Sequence, residues 1–258
     1  MTCSLELTTL GVRLILSGEP DLIDEVSKLC LELIEGDGVP ALEQALLEVA
    51  AGQPFAAALA GLTELAVSRS PLLCIHAGVV LGRAGVLAFP GQSGLGKSTL
   101  TAALVRAGFG YLSDETLALQ RRTGRVARFA RPLGLAPDVW ELLGVGSPSA
   151  ADGDGGEERH FRPAAFGRVV PIPNWPDDAP KVSDILLVER GDSPIELHRI
   201  GTERAVQELL RRSFNHYREP ASSFATAVAV AKQARVWAAR YQDAGAFAEQ
   251  LAAEFGAA

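Results

Sequence analysis

The chain has 258 residues, room for one large domain or for a domain with a small N-terminal extension. Apolar residues make up 48% of it, ample for a sizeable core, and the formal charge of −7 argues against a dedicated nucleic-acid binder. Cys3, Cys30 and Cys74 are widely spaced and form no CxxC pair, which predicts buried reduced thiols rather than a disulfide framework or zinc site. The N-terminus lacks a signal-peptide pattern and no apolar stretch could span a bilayer, so a cytoplasmic chain without a membrane partner is expected.

Leu5 and Leu7, then Val12, Leu14 and Leu16, alternate and predict strand with a break at Thr8–Thr9. Leu22, Val26, Leu29 and Leu33 follow helical spacing up to Gly36. A second helix is expected over Pro40 to Ala51, with Pro in its first turn and Gly52 beyond its end, and a third from Phe55 to about Ser68. Residues 1–70 carry no recognisable chemistry and are expected to pack or dock. The character changes at Pro71, from where residues 71–258 are expected to form the catalytic domain. Leu72–Leu81 and Val86–Phe89 read as strands, the second running straight into Gly91. A helix from Lys97 buries Leu100, Ala103, Leu104 and Ala107 and stops at Gly108. Strands follow at Phe109–Ser113, Thr116–Gln120 and Arg125–Phe129. Residues 146–160 are rich in Gly, Ser and Asp and read as a solvated loop, which in a catalytic domain could contact substrate. Ile185–Val188 reads as strand, Glu203–Phe214 as helix, and Arg235–Tyr241 as strand before a last helix. The fold class expected is α/β with a mixed sheet.

The motif with the most specific chemistry is GQSGLGKS at Gly91–Ser98, a full match to G-x-x-x-x-G-K-[ST]. Gly91, Gly94 and Gly96 permit positive φ and close approach to phosphate. Together with Gln92, Ser93, Leu95 and Thr99 they form the expected nucleotide-binding segment, in which backbone N–H groups meet an anion at a helix N-terminus. Lys97 would reach the outer phosphates and Ser98 would ligate magnesium, so ATP and Mg2+ are the expected cofactors. A strand before the motif and an amphipathic helix after it separate a P-loop from an ordinary Gly-rich turn.

Asp114 and Glu115 close the strand after the P-loop helix. One could accept a proton and the other orient metal, whereas adjacent acids at an arbitrary strand end are usually just solvated. His76 sits mid-strand, where a histidine is more often structural than catalytic. Arg121, Arg122, Arg125, Arg128 and Arg131 form a basic cluster expected to decorate an exposed hairpin around Gly124. Arg131, displaced from that turn, is the one expected to contact phosphate or substrate.

The segment 73–119 resembles the HPr kinase/phosphorylase family, and especially its shorter relatives, the HPr-kinase-like serine kinases. IHAGVVL with His76, FPGQSGLGKSTL with the P-loop and GYLSDETLAL with Asp114 and Glu115 carry the resemblance, in that order. ARPLGL and RRSFNHY are similar more loosely. The family's core in turn resembles that of phosphoenolpyruvate carboxykinase. The resemblance implies a proton-accepting role for Asp114, a metal-side role for Glu115 and an active-site role for His76. Glu115 and Thr99 depart from the HPr kinases proper and agree with the short relatives, and no counterpart of the later phosphorolysis signature is found. What it implies, then, is an ATP- and Mg-dependent kinase acting on a serine or other hydroxyl of a peptide or protein, such as a natural-product precursor peptide. Whether it forms a homo-oligomer is left open.

No NKxD or LSGGQ-like motif supports a GTPase or an ABC ATPase. The alternatives retained are a nucleotide-binding regulatory protein without transfer activity and a small-molecule kinase. A carboxykinase would need further arginines and a lysine that the sequence does not place.

Overall fold

The computed structural model describes residues 2–92, 94–146, 158–173, 175–191 and 195–256. Ser93 and most of the segment 146–160 therefore lie outside the described residues. The fold is mixed α/β, built on two main sheets and a small ribbon.

The N-terminal sheet begins with β1 (Cys3–Thr9) and β2 (Val12–Gly18), paired antiparallel around Leu10–Gly11. Their inward residues Leu7, Val12, Leu14 and Leu16 are buried under α1 (Pro20–Leu29), α2 (Leu31–Ile34) and α3 (Phe55–Arg69). The third strand corrects the sequence reading. The expected helix over Pro40–Ala51 is instead β3 (Glu43–Glu48), parallel to β2 from Glu43 opposite Val12 to Glu48 opposite Ser17. Ala, Leu, Glu and Gln are good helix formers, yet only one face of this stretch finds a core. Ala45 is buried and Leu47 packs on the cluster while Leu46 is 56% exposed, and the free edge of β2 supplies the hydrogen bonds.

The large sheet is centred on β4 (Leu73–Gly82), the hairpin partner of β5 (Gly85–Pro90). The other edge of β4 is shared along its length by β6 (Gly110–Ser113) and β7 (Thr116–Leu119), both antiparallel to it. Asp114 and Glu115 fall between these two. Next to β7 lies the short β8 (Val126–Ala127). β9 (Leu133–Leu135) and β10 (Arg159–Phe161) form a separate two-stranded ribbon. On the far side of β5 the order continues through β11 (Val182–Arg190), β13 (Arg235–Tyr241) and β12 (Glu196–Arg199), with β5, β11 and β13 mutually parallel.

Alternation in β4 and β5 sends the two faces of the sheet to different cores. Val80, Leu87 and Phe89 pack with α4 (Lys97–Arg106) and α7 (Ala244–Phe255). Ile75, Ala77, Val79, Val86 and Ala88 pack with α5 (Thr202–Arg211) and α6 (Pro220–Gln233). The N-terminal core is continuous with the large sheet through Cys74, Ala118, Ala127 and Phe129. Among the described residues no helix is long and apolar enough to cross a membrane.

Two further expectations change. Cys30 and Cys74 are buried, but Cys3 is exposed at the start of an edge strand. The arginine cluster does not decorate a surface: Arg128 is 3% exposed, and Arg121 is held inside by the Pro71 carbonyl and Ser223. Only Arg122 of the five is exposed.

Candidate functional site

β5 and α4 meet at the Gly-rich loop. Gly94 and Gly96 take φ of 81° and 74°, a region that L side chains avoid, and Gly96 directly precedes the first helical residue. Gly94, Gly96 and the first helical residues Lys97, Ser98 and Thr99 thereby border one cavity, where a helix N-terminus can offer N–H groups to an anion. Within the loop, the Lys97 ammonium donates to the Gln92 carbonyl at 2.7 Å. Lys97 is 6% exposed, and burial lowers its pKa while the nearby Glu115 and Asp114 oppose that fall.

The cavity is about 490 Å3 in volume and brings together His76, Gly94, Gly96, Lys97, Ser98, Thr99, Asp114, Glu115 and Arg131. Gly91, Gln92 and Leu95 lie in the loop behind it, with Leu95 packed close over Gly91. The Ser98 hydroxyl donates to Asp114 Oδ2 at 2.6 Å. Asp114 Oδ1 faces the Tyr111 hydroxyl at 3.0 Å and Arg131 Nε at 3.8 Å. The side chain of Asp114 has no exposure at all.

Glu115 points elsewhere. One carboxylate oxygen lies 3.5 Å from His76 Nε2, the other 3.8 Å from Arg131 Nη1, and its side chain is 24% exposed. Burial raises its pKa, with Arg131 pulling the other way. Burial, then Lys97, Arg212 and Arg131, push His76 down to about 4, so its imidazole is neutral near pH 7 and its contact with Glu115 is not an ion pair there. Arg131 Nη1 also donates to Thr63 at 3.3 Å, while its buried Nε has no hydrogen-bond partner among the described residues, since 3.8 Å to Asp114 is an electrostatic contact only. Burial works against the charge of Arg131, but Asp114, Glu115 and Tyr111 outweigh it and raise its pKa.

Sequence reasoning missed several lining residues. Gly134, Ala136, Asp138, Val139 and Glu158 come from β9, the turn after it and the approach to β10, and Arg190 closes the wall from the end of β11. Tyr111 was hidden by strand alternation, which sets residues 111 and 114 on opposite faces. The register against β4 slips by one residue, with Val79 opposite Ser113 but Val80 opposite Tyr111. Leu112 is the extra residue of a β-bulge, and it returns Tyr111 to the side of Asp114. A bulge of this kind has no signature in GYLSDE.

Compared with family models and with curated proteins, the chain matches none.

Proposed function

We propose that the chain is a P-loop phosphotransferase of the HPr-kinase type, which uses ATP and magnesium to phosphorylate a hydroxyl on a peptide or protein. The observation that carries this is the 2.6 Å hydrogen bond from Ser98, at the start of the P-loop helix, to the fully buried Asp114. A Gly-rich loop that only turned a corner would have no need of a desolvated carboxylate against its terminal serine.

The oxygen donors fit magnesium. Ser98 can direct a lone pair to a metal while its hydroxyl proton is donated to Asp114, and Asp114 is fixed in turn by Tyr111 and Arg131. Among the described residues no group of three or more His, Cys, Asp or Glu side chains forms a self-sufficient metal cage. A magnesium ion that shares its shell with phosphate and water needs only one or two carboxylates. When bound, it would neutralise charge on the transferring phosphoryl group.

The exposures divide the two acids. Asp114 is sealed behind Ser98 and favours the metal side, whereas Glu115 and His76 line the open cavity where an acceptor hydroxyl can reach them. We therefore assign proton acceptance to Glu115, oriented by the neutral His76, in place of the Asp114 role that the family resemblance implies. A carboxylate of raised pKa is the better base for a hydroxyl. Incubating the chain with labelled ATP, magnesium and a panel of serine-containing peptides tests the function. Tight ATP binding without any phosphopeptide would leave a regulatory nucleotide-binding protein, and phosphorylated metabolites would leave a small-molecule kinase.

A further inference from the structure

The parallel strands β5, β11 and β13 end at one edge of the sheet, around the P-loop. β5 enters the loop itself. β13 ends in Tyr241, buried and stacked on Phe247 with ring centroids 4.6 Å apart. β11 ends in Arg190, on the flank of β5 opposite to the one where His76 lies in β4 and Asp114 directly follows β6.

The Arg190 side chain folds over the loop. Its Nη1 and Cδ lie 3.8 and 3.9 Å from the place a Cβ on Gly96 would occupy. Its Nη2 donates to the Gln242 carbonyl at 3.3 Å, just beyond β13, and the Gly191 N–H donates to the Tyr241 carbonyl at 3.1 Å. One edge of the guanidinium and the backbone at its base are thus tethered to β13. The rest of the group forms the cavity wall together with Gly94, Gly96 and Lys97.

The charges around the loop are lopsided. On the β4 side Glu115, and Asp114 buried behind Ser98, engage Arg131. A nucleotide polyphosphate bound there would meet Lys97 as its one cation inside the loop, beside two carboxylates. Arg190 supplies the missing positive charge from the other flank, in a planar fork suited to phosphate oxygens. We infer that Arg190 is a second phosphate-binding cation of this site, gripping the polyphosphate of the nucleotide from the β11 side while Lys97 holds it from within. The inference rests on the P-loop reading and adds a residue to it.

Calorimetric titration of the full chain with ATP and ADP in the presence of magnesium provides the test, on wild type, Arg190→Ala and Arg190→Lys. Arg190→Ala should weaken both nucleotides about tenfold or more, as expected for lost hydrogen bonds to a charged partner. Arg190→Lys should recover part of the loss by restoring charge without the fork. Because Arg190 is exposed, the unfolding midpoint of Arg190→Ala should stay close to that of wild type. Unchanged nucleotide affinity in Arg190→Ala would overturn the inference, and a lowered midpoint with unchanged affinity would make Arg190 merely a cap on β13. A wild-type chain that binds no nucleotide would overturn the P-loop reading and this inference with it. A wild type that binds ATP but phosphorylates nothing would count against the kinase alone, leaving the comparison of variants decisive for Arg190.

Discussion

The two neighbouring acids make the sharpest test of single residues. Asp114 is sealed against Ser98, and Glu115 opens to the cavity beside His76. Asp114→Asn should therefore remove most of the gain in nucleotide affinity that magnesium brings. Glu115→Gln should leave that gain intact and lower the transfer rate by roughly two to four orders of magnitude, the usual size of a general-base contribution. Titrating a fluorescent nucleotide with and without magnesium, beside single-turnover transfer, separates the two. The opposite pattern, with magnesium-dependent binding intact in Asp114→Asn and transfer lost, would return the base to Asp114. Lys97→Ala removes the ammonium that now rests on the Gln92 carbonyl and should abolish turnover. Near-normal turnover in that variant would exclude the P-loop as the catalytic phosphate site.

At the scale of elements, the hairpin of β4 and β5 holds His76 and the P-loop in one frame. Gly78 faces Phe89 across that hairpin, and a Cβ at position 78 would lie 2.0 Å from the ring. Gly78→Ala should cost about 3 kcal/mol of stability or more, because both residues are buried and neither backbone can retreat. Adding Phe89→Leu should recover part of that loss, as a chemical-denaturation double-mutant cycle would show. Much of this frame was legible in the sequence. The run Leu72–Leu81, the strand into Gly91 and the helix from Lys97 each satisfy one periodicity over many residues, and local pattern and tertiary packing agree there. β3 was not legible, because EQALLE has a helical composition and becomes a strand only through the free edge of β2. α6 was missed because its Ala-rich sequence PASSFATAVAVAKQ buries small residues and shows little amphipathic contrast. The Gly-rich motif and the neighbouring acids that the structure brings to one cavity stood out in the sequence by their spacing. Tyr111, Arg190, Asp138 and Glu158 did not, since a bulge, a strand end and a separate ribbon bring them to the cavity from distant stretches of chain.

For the whole molecule, two desolvated groups on different elements set opposing pH dependences of stability. His76 lies in the large sheet, and its pKa is pushed down to about 4, chiefly by burial. Asp37 follows α2 in the N-terminal part, accepting N–H bonds from Leu10 and Val39, and burial pushes its pKa up to about 6. For His76, the unfolded chain binds the proton first as pH falls, so stability is full above about 6.5 and is lost between there and 4. For Asp37 the native state binds the proton first, so its contribution is full below about 3.8 and is lost as pH rises through 6. Between pH 4 and 6 the two slopes have opposite sign, each approaching about 1.4 kcal/mol per pH unit where a whole proton separates the states. They should largely cancel in the wild type. Asp37→Asn should then expose the His76 slope, with stability falling more steeply than in wild type as pH drops from 6 to 4. His76→Gln should expose the Asp37 slope, with stability in that window rising relative to wild type as pH drops. Urea unfolding of the three proteins at half-unit steps from pH 4 to 7.5 measures these differences, and the other carboxylates, common to all three, drop out of the comparison. Parallel curves would show that neither group stays desolvated in solution, and the neutral state assigned to His76 beside Glu115 would be lost with that.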